Sequence, residues 1–357
     1  MSQVESKAVN SDAVNCELIE TSSANKIAVL WMQNPPVNAL SKSVRVALIA
    51  HLNDAIADES VAVIVISSKQ NLFSGGADIS EFSGGNLEPN LPAVLDVIEN
   101  SPKPVVAVLN GPAFGGGLEV ALSCHYRVTF ASNKVGLPEV NLGILPGAGG
   151  TQRLPRLAGV QQALDMIVSG RPVAAKKLSN VFDVVVENPE TLLSSALAFC
   201  DKVVADGSKV RKTCDLQIDI SAAPKELFAQ YRQGLATKAR GFFAPERCIQ
   251  AVEASVKLPF AQGLVRESEL FMECMRSKEA RAQQHFFFAE RAASHVKDFD
   301  KETPLRDIRK VGIIGAGTMG GGIAMNFANA GIPIIMLELK QEALDNGLAL
   351  IRKNYEN

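Results

Sequence analysis

Residues 110–119 read Asn110-Gly111-Pro112-Ala113-Phe114-Gly115-Gly116-Gly117-Leu118-Glu119, directly after the apolar run Val105-Val106-Ala107-Val108-Leu109. A short Val- and Leu-rich run closed by Asn-Gly-Pro reads as a strand ending in a tight turn. Three glycines then lead into an apolar helix beginning near Leu118, so the backbone turns closely and leaves bare N–H groups at a helix N-terminus. A developing negative oxygen is stabilised in such a place. Glu119, in the first turn, also complements the helix dipole, and that capping role alone accounts for a first-turn glutamate in most proteins. Twenty positions on, Leu137-Pro138-Glu139-Val140-Asn141-Leu142-Gly143-Ile144-Leu145-Pro146-Gly147 carries a second glutamate. Pro138-Glu139 can open a helix, and the glycines at 143, 147, 149 and 150 can equally form an irregular loop. A third segment, Phe73-Ser74-Gly75-Gly76-Ala77-Asp78-Ile79, follows the apolar run 61–67 and offers a second glycine-opened amide. Two amide donors and two carboxylates together suit proton transfer beside a carbonyl.

Around these segments the apolar pattern alternates. Brief Val- and Ile-rich runs at 27–32, 61–67, 105–109, 126–130 and 181–186 predict strands, and longer runs at 44–57, 91–98, 118–124 and 160–168 predict helices. Strand and helix in alternation predict an α/β domain with its sheets covered by helices. From Pro189 onward the chain reads as almost wholly helical, with one long amphipathic run from 262 to about 296 whose Glu, Arg and Lys residues read as a solvated face. Residues 297–309 are charged, carry a proline and lack periodicity, which predicts a linker, and a second domain starts at Lys310.

A length of 357 residues, 47% of them hydrophobic, suffices for one large domain and part of another. A formal charge of −2 gives no footprint for nucleic acid. The first twenty residues contain no apolar h-region, and no segment offers about eighteen uninterrupted apolar residues, so neither secretion nor membrane insertion is expected. Six cysteines without C-x-x-C pairing, at 16, 124, 200, 214, 248 and 274, read as reduced thiols acting as small buried hydrophobes. No metal-ligand spacing is evident.

The segments Ser74–Ile79, Asn110–Glu119, Leu137–Glu139 and Gly147-Ala148-Gly149-Gly150-Thr151-Gln152-Arg153-Leu154, together with Asn34-Pro35-Pro36-Val37-Asn38-Ala39-Leu40, resemble the enoyl-CoA hydratase/isomerase (crotonase) family over about residues 15–190. The resemblance implies a crotonase-like spiral of β-β-α units with C-terminal helices, and a coenzyme A thioester as substrate. It further implies an oxyanion hole made by the N–H groups of Ala77 and Gly116, with Glu119 and Glu139 holding a water between them and Gly147 polarising the substrate. Hydration uses two carboxylates, whereas moving a double bond from the 3,4 to the 2,3 position uses one. Both are present here, so hydration of a 2-trans-enoyl-CoA is expected, with isomerisation as a side activity. Ser80 stands where many relatives carry a basic residue that contacts CoA phosphates. The alternative, an inactive acyl-CoA-binding module, has no physical need for two carboxylates in one apolar pocket, where each raises the cost of ionising the other.

The second domain opens as Lys310-Val311-Gly312-Ile313-Ile314-Gly315-Ala316-Gly317-Thr318-Met319-Gly320. This G-x-G-x-x-G follows an apolar strand, opens a helix, and is followed about twenty positions on by Glu338 at the end of the run 332–337, the dinucleotide-binding arrangement. Gly315, Gly317, Thr318, Met319 and Gly320 would cradle a pyrophosphate. Glu338 would accept from a ribose 2′-OH and repel a 2′-phosphate, which selects NAD. The fingerprint resembles that of 3-hydroxyacyl-CoA dehydrogenases, and the domain order resembles the multifunctional β-oxidation enzymes, whose linker helix is matched by His285-Phe286-Phe287-Phe288-Ala289-Glu290-Arg291.

Only the first β-α-β-α of an incomplete Rossmann fold lies before Asn357, and His51, His125, His285 and His295 all precede the fingerprint, reading as surface or packing histidines. The chain is therefore expected to be a fragment of a longer bifunctional enzyme that hydrates but does not oxidise. The expected division is a flexible N-terminus at 1–14, a hydratase core at 15–190, a helical region and linker helix at 191–296, a linker at 297–309 and the truncated NAD domain at 310–357. The resemblance implies a monomeric intact protein, cytoplasmic if bacterial and otherwise peroxisomal.

Overall fold

The computed structural model describes residues 13–20, 26–83, 88–220, 224–293, 302–304 and 306–356. The first twelve residues of the expected flexible N-terminus, most of the expected linker's start and His295 lie outside them. The chain divides into two compact units, Met1–Ala292 and Ala293–Asn357.

In the first unit, strands β1 (Val14–Glu20), β2 (Lys26–Met32), β3 (Val61–Ser68), β4 (Val105–Leu109), β6 (Tyr126–Phe130) and β9 (Val184–Val186) form one sheet in the order β1-β2-β3-β4-β6-β9. Strands β5 (Ala113–Phe114), β7 (Lys134–Gly136) and β8 (Val173–Ala174) form a second, smaller sheet. The helices are α1 (Lys42–Ala57), α2 (Leu91–Glu99), α3 (Gly116–Ser123), α4 (Gly150–Ala158), α5 (Val160–Ser169), α6 (Leu192–Ala205), α7 (Leu227–Lys238), α8 (Ala244–Lys257), α9 (Phe260–Arg276) and α10 (Lys278–Ala293). The chain winds as a spiral: β4 lies in the large sheet, β5 in the small one, and α3 follows; β6, β7 and α4 repeat the order.

The Val/Ile runs of β2, β3 and β4 are continuous because both faces of this parallel sheet are covered. Ile27, Val29, Val63, Val65, Val106 and Val108 face α6 through Leu192, Ala196, Cys200 and Val203. The alternate residues Ala28, Leu30, Ile64, Ile66, Ala107 and Leu109 join the larger core with α1, α2, α3 and α8. β1 pairs antiparallel at the edge and is mostly exposed, so it lacks the apolar run that marks its neighbours.

Four expectations are corrected. Val14 belongs to β1 rather than to a flexible tail. The strand expected at 181–186 is confined to Val184–Val186, since Val181 and Phe182 are buried in the turn before it. The long run from 262 breaks into α9 and α10 at Ser277, whose Oγ accepts from Ala280 N at 3.0 Å and caps the second helix. Cys16 is exposed and Cys214 half-buried, so these two are not core hydrophobes. His125 is a packing histidine: its Nδ1 accepts from Val105 N at 2.9 Å, and burial holds its pKa down. Among the described residues no helix is long and apolar enough to cross a membrane.

The second unit has β10 (Val311–Ile314) and β11 (Ile334–Leu337) in parallel, joined through α11 (Thr318–Asn329) and followed by α12 (Gln341–Glu356). Ile314, Ile335 and Leu337 are exposed, as two strands and two helices cannot cover both faces of a sheet.

Candidate functional site

Gly115 precedes α3 at φ +52°, a conformation that favours glycine, and it turns the chain from β5 into a helix whose eight residues are all buried. Gly116 is therefore the first helical residue, with an N–H that has no intrahelical acceptor. The segment before it in space, Ser74 to Ala77, is pinned by Gly75 N to Val37 O (2.8 Å), Leu40 N to Gly76 O (2.8 Å) and Phe114 N to Ser74 O (2.9 Å). The bridge to Leu40 thus uses the Gly76 carbonyl and leaves the Ala77 N–H to the cavity. The two amides are neighbours, since a methyl group at Gly116 would lie 3.3 Å from Ala77 N.

Glu119 is 3% exposed, and its Oε1 accepts from both Ala148 N and Gly150 N at 2.8 Å. Burial raises its pKa, while those two amides and Arg153 pull the other way. Glu139 opens the short 3-10 turn Glu139–Leu142, and its Oε2 is buried with no hydrogen-bond partner among the described residues. Burial, then the charge of Glu119, holds its carboxyl well above the usual range. Glu139 Oε1 is held against the α3 turn, 3.0 Å from where a methyl at Gly115 would stand. The other side of the 3-10 turn is gripped by α10, where Gln283 Nε2 donates to Val140 O at 3.2 Å and to Asn141 O at 3.3 Å.

Ala77, Gly116, Glu119, Glu139 and Gly147 all line one cavity of about 300 Å³. Gly147 stands three residues ahead of α4 rather than at its start, packed under Phe271. Ser268, Phe271 and Met272 of α9 complete the wall, so the helical region assigned beyond the core contributes to the site. Behind the wall lies a third carboxylate, Glu267, 1% exposed. Its Oε1 accepts from Gly149 N at 2.6 Å and its Oε2 from Thr151 N at 3.1 Å and Thr151 Oγ1 at 2.5 Å. Burial and then the Glu119 charge push its pKa up to about 8. Glu267 is the exception to the solvated face expected for this run, whose Glu269, Lys278, Glu290 and Arg291 are exposed. The missed signal was positional: Gly263, Glu267, Leu270 and Cys274 form the buried stripe of α9, so Glu267 sits where the helical period calls for an apolar residue.

Beneath α4, Arg153 pairs with Glu99 (Nη2 to Oε2 2.7 Å), both side chains about 95% buried, and Arg153 Nη1 donates to Ala148 O at 3.0 Å. Arg153→Met strands the Glu99 carboxylate, and an uncompensated buried charge costs about 3–5 kcal/mol. Urea unfolding is expected to show that loss as a lower midpoint at unchanged slope; a loss below about 1 kcal/mol would show that the pair does not hold this turn.

In the second unit Gly315 is at φ +99°, and a methyl at Gly320 would lie 1.9 Å from Gly315 O, so α11 approaches the strand end as closely as a glycine permits. Gly317 is the N-cap of α11, which places Thr318, Met319 and Gly320 in its first turn. Glu338 follows β11 directly; its Oε2 accepts from Ala316 N at 2.9 Å, which lowers its pKa.

Residues 22–240 match the sequence profile of the enoyl-CoA hydratase/isomerase family, and residues 310–357 match that of the 3-hydroxyacyl-CoA dehydrogenase NAD binding domain. Among solved structures the chain is similar to carnitinyl-CoA hydratase from Mycobacterium avium, with a TM-score of 0.55 and 25% identity, covering 78% of this chain and 96% of that one. The fold is thus the crotonase spiral, joined to the start of an NAD-binding fold. The chain belongs to the enoyl-CoA hydratase/isomerase family. It is 40% identical over 330 residues to the peroxisomal bifunctional enzyme of Danio rerio, covering 91% of this chain and 46% of that protein. It is 34% identical over 347 residues to the peroxisomal fatty acid beta-oxidation multifunctional protein MFP2 of Arabidopsis thaliana, covering 93% of this chain and 47% of that protein. The chain spans about half the length of these relatives.

Proposed function

We infer that this chain hydrates 2-trans-enoyl-CoA thioesters to 3-hydroxyacyl-CoA in fatty-acid β-oxidation, in a peroxisome as the names of its relatives support. The observation that carries the reading is one cavity holding Glu119 and Glu139 beside the amides of Ala77 and Gly116. The thioester oxygen accepts from Ala77 and Gly116, which bind the enolate-like transition state more tightly than the ground-state carbonyl. Glu119, whose charged form is supported by two amides, is the base that takes a proton from water as its oxygen attacks C3. Glu139, kept protonated by burial and by Glu119, is the acid that delivers a proton to C2. Gly147, on the cavity wall, polarises the bound thioester further. Glu139 Oε2, which has no hydrogen-bond partner among the described residues, also supports a side activity in which one carboxyl shuttles a proton between C4 and C2 of a 3-enoyl ester.

The dinucleotide fold supports NAD as the ligand of the second unit, held by the Gly315, Gly317, Thr318, Met319 and Gly320 turn, with Glu338 on the ribose. NAD would supply a hydride acceptor for a 3-hydroxyacyl ester in the intact protein, which the same reading makes a monomer. The test is to mix the protein with a short 2-trans-enoyl-CoA, follow the conjugated thioester absorbance, then add NAD. Loss of absorbance without reduced cofactor is expected; a folded protein that leaves the enoyl ester untouched would sink the reading.

The rate should be bell-shaped in pH. It needs Glu119 ionised, so it falls on the acid side, and because burial raises Glu119 that limb lies above the ordinary glutamate value of 4.5. It needs Glu139 protonated, so it falls again on the alkaline side, at a higher pH because Glu139 is raised further. A profile flat from pH 5 to 9 would contradict the pairing.

A further inference from the structure

Four consecutive amides lead into α4, and two buried carboxylates divide them alternately. Ala148 N and Gly150 N go to Glu119, while Gly149 N and Thr151 N go to Glu267. The turn is thereby held from both sides, and Glu267 also fixes the Thr151 hydroxyl, which accepts from Gln152 Nε2 at 2.8 Å. Gln152 in turn donates to Ala251 O of α8 at 2.9 Å, so the clamp ties α9, α4 and α8 together. Building on Glu119 as the base, we propose that Glu267 is a positioning residue: by holding Gly149 and Thr151 it keeps the Ala148 and Gly150 N–H groups aimed at Glu119. It lines no part of the cavity, so it acts only through its neighbours. The charged groups that face it from the packed elements are Glu119 on α3, Glu139 in the 3-10 turn and Arg153 on α4.

Glu267→Gln presents one acceptor and one NH2 group, so it cannot serve Gly149 and Thr151 together. The turn relaxes, Glu119 loses amide support for its charged form, and its proton is held more tightly. The expected result is a fall in kcat of about 10²-fold with KM little changed, because a small misplacement of a reacting group costs that much. The acid limb of the pH profile should move to higher pH. A role confined to stability leaves the limb unmoved, and a move to lower pH would mean that Glu267 opposes the charged form of Glu119 rather than supporting it; either result overturns the proposal. Infrared titration of the carboxyl bands in substrate-free protein, with Glu119→Gln used to assign the band, reads the same shift without activity. A protein that hydrates nothing yet shows the upward shift defeats the proposed reaction and leaves the positioning role standing. Should Glu267→Gln fail to fold, Thr151→Val removes one donor while keeping the Thr151 amide position; it must show a smaller upward shift, and no shift overturns the proposal.

Discussion

Glu119→Gln and Glu139→Gln are each expected to lower kcat for hydration by about 10³-fold, within the range that general acid–base groups contribute, while the affinity for an acyl-CoA ester changes little. The expectation follows from what each carboxyl is bonded to. A glutamine oxygen at 119 can still accept from Ala148 N and Gly150 N, so the α4 turn stays in place and only the base is lost. Glutamine at 139 keeps the volume of a carboxylic acid in a site where the charged form is disfavoured, and only the transferable proton is lost. Loss of binding in parallel with rate would instead mean that the substitution had damaged the pocket.

Glu139→Gln also changes stability, with a sign that can be worked out. A carboxyl whose folded pKa lies above its unfolded value contributes stability that is full at low pH and is lost as pH rises from the unfolded towards the folded value. Glu139 is raised well above 4.5, so the unsubstituted protein loses stability across that interval and Glu139→Gln does not. The melting temperature of Glu139→Gln should match that of the unsubstituted protein near pH 5 and exceed it near pH 8. Such a gain on removing a catalytic group is the usual trade of stability for activity. Equal melting temperatures at both pH values would mean that Glu139 is solvated rather than held in its buried position.

Gly117→Ala is expected to lower kcat by about 10²-fold although it adds one methyl and removes no polar atom. That methyl would lie 2.7 Å from Ser74 Cβ and 2.8 Å from Ser74 O, and the backbone cannot give way as a flexible side chain would. Ser74 is fixed in turn: its Oγ donates to Asn38 O at 2.8 Å and accepts from Gly76 N at 3.1 Å, and its carbonyl takes Phe114 N. Moving α3 away from this segment separates the Gly116 and Ala77 amides, which must converge on one oxygen. A stability loss of about 1–3 kcal/mol should accompany the rate loss. If the folded variant kept turnover within threefold of the original, the amide pair would not be the oxyanion site.

The central strands were legible because each is apolar, short and bounded by turn residues. β4 and β6 stand at the residues predicted for them, and α1 and α5 begin and end within two residues of expectation. The fingerprint of the second unit was equally local, since strand, glycine turn and helix are consecutive in the chain. Glu267 was not legible, because its partner Gly149 is 118 residues away and a charge on an amphipathic helix looks alike whether water or a buried amide receives it. Nor was the break at Ser277, where a side-chain cap interrupts a periodicity that continues on either side.

By itself the sequence determined the α/β alternation, the glycine turns that bare the amides at 77 and 116, and the presence of two glutamates near them. Those properties depend on local backbone sterics and on the period of apolar residues. Only the tertiary structure decided that Glu119 and Glu139 face one cavity, that α9 closes it, and that the amides entering α4 are divided between Glu119 and Glu267. Burial and hydrogen-bond partners across a hundred residues come from packing, and they give one carboxyl two amide donors and leave an oxygen of the other without a partner among the described residues.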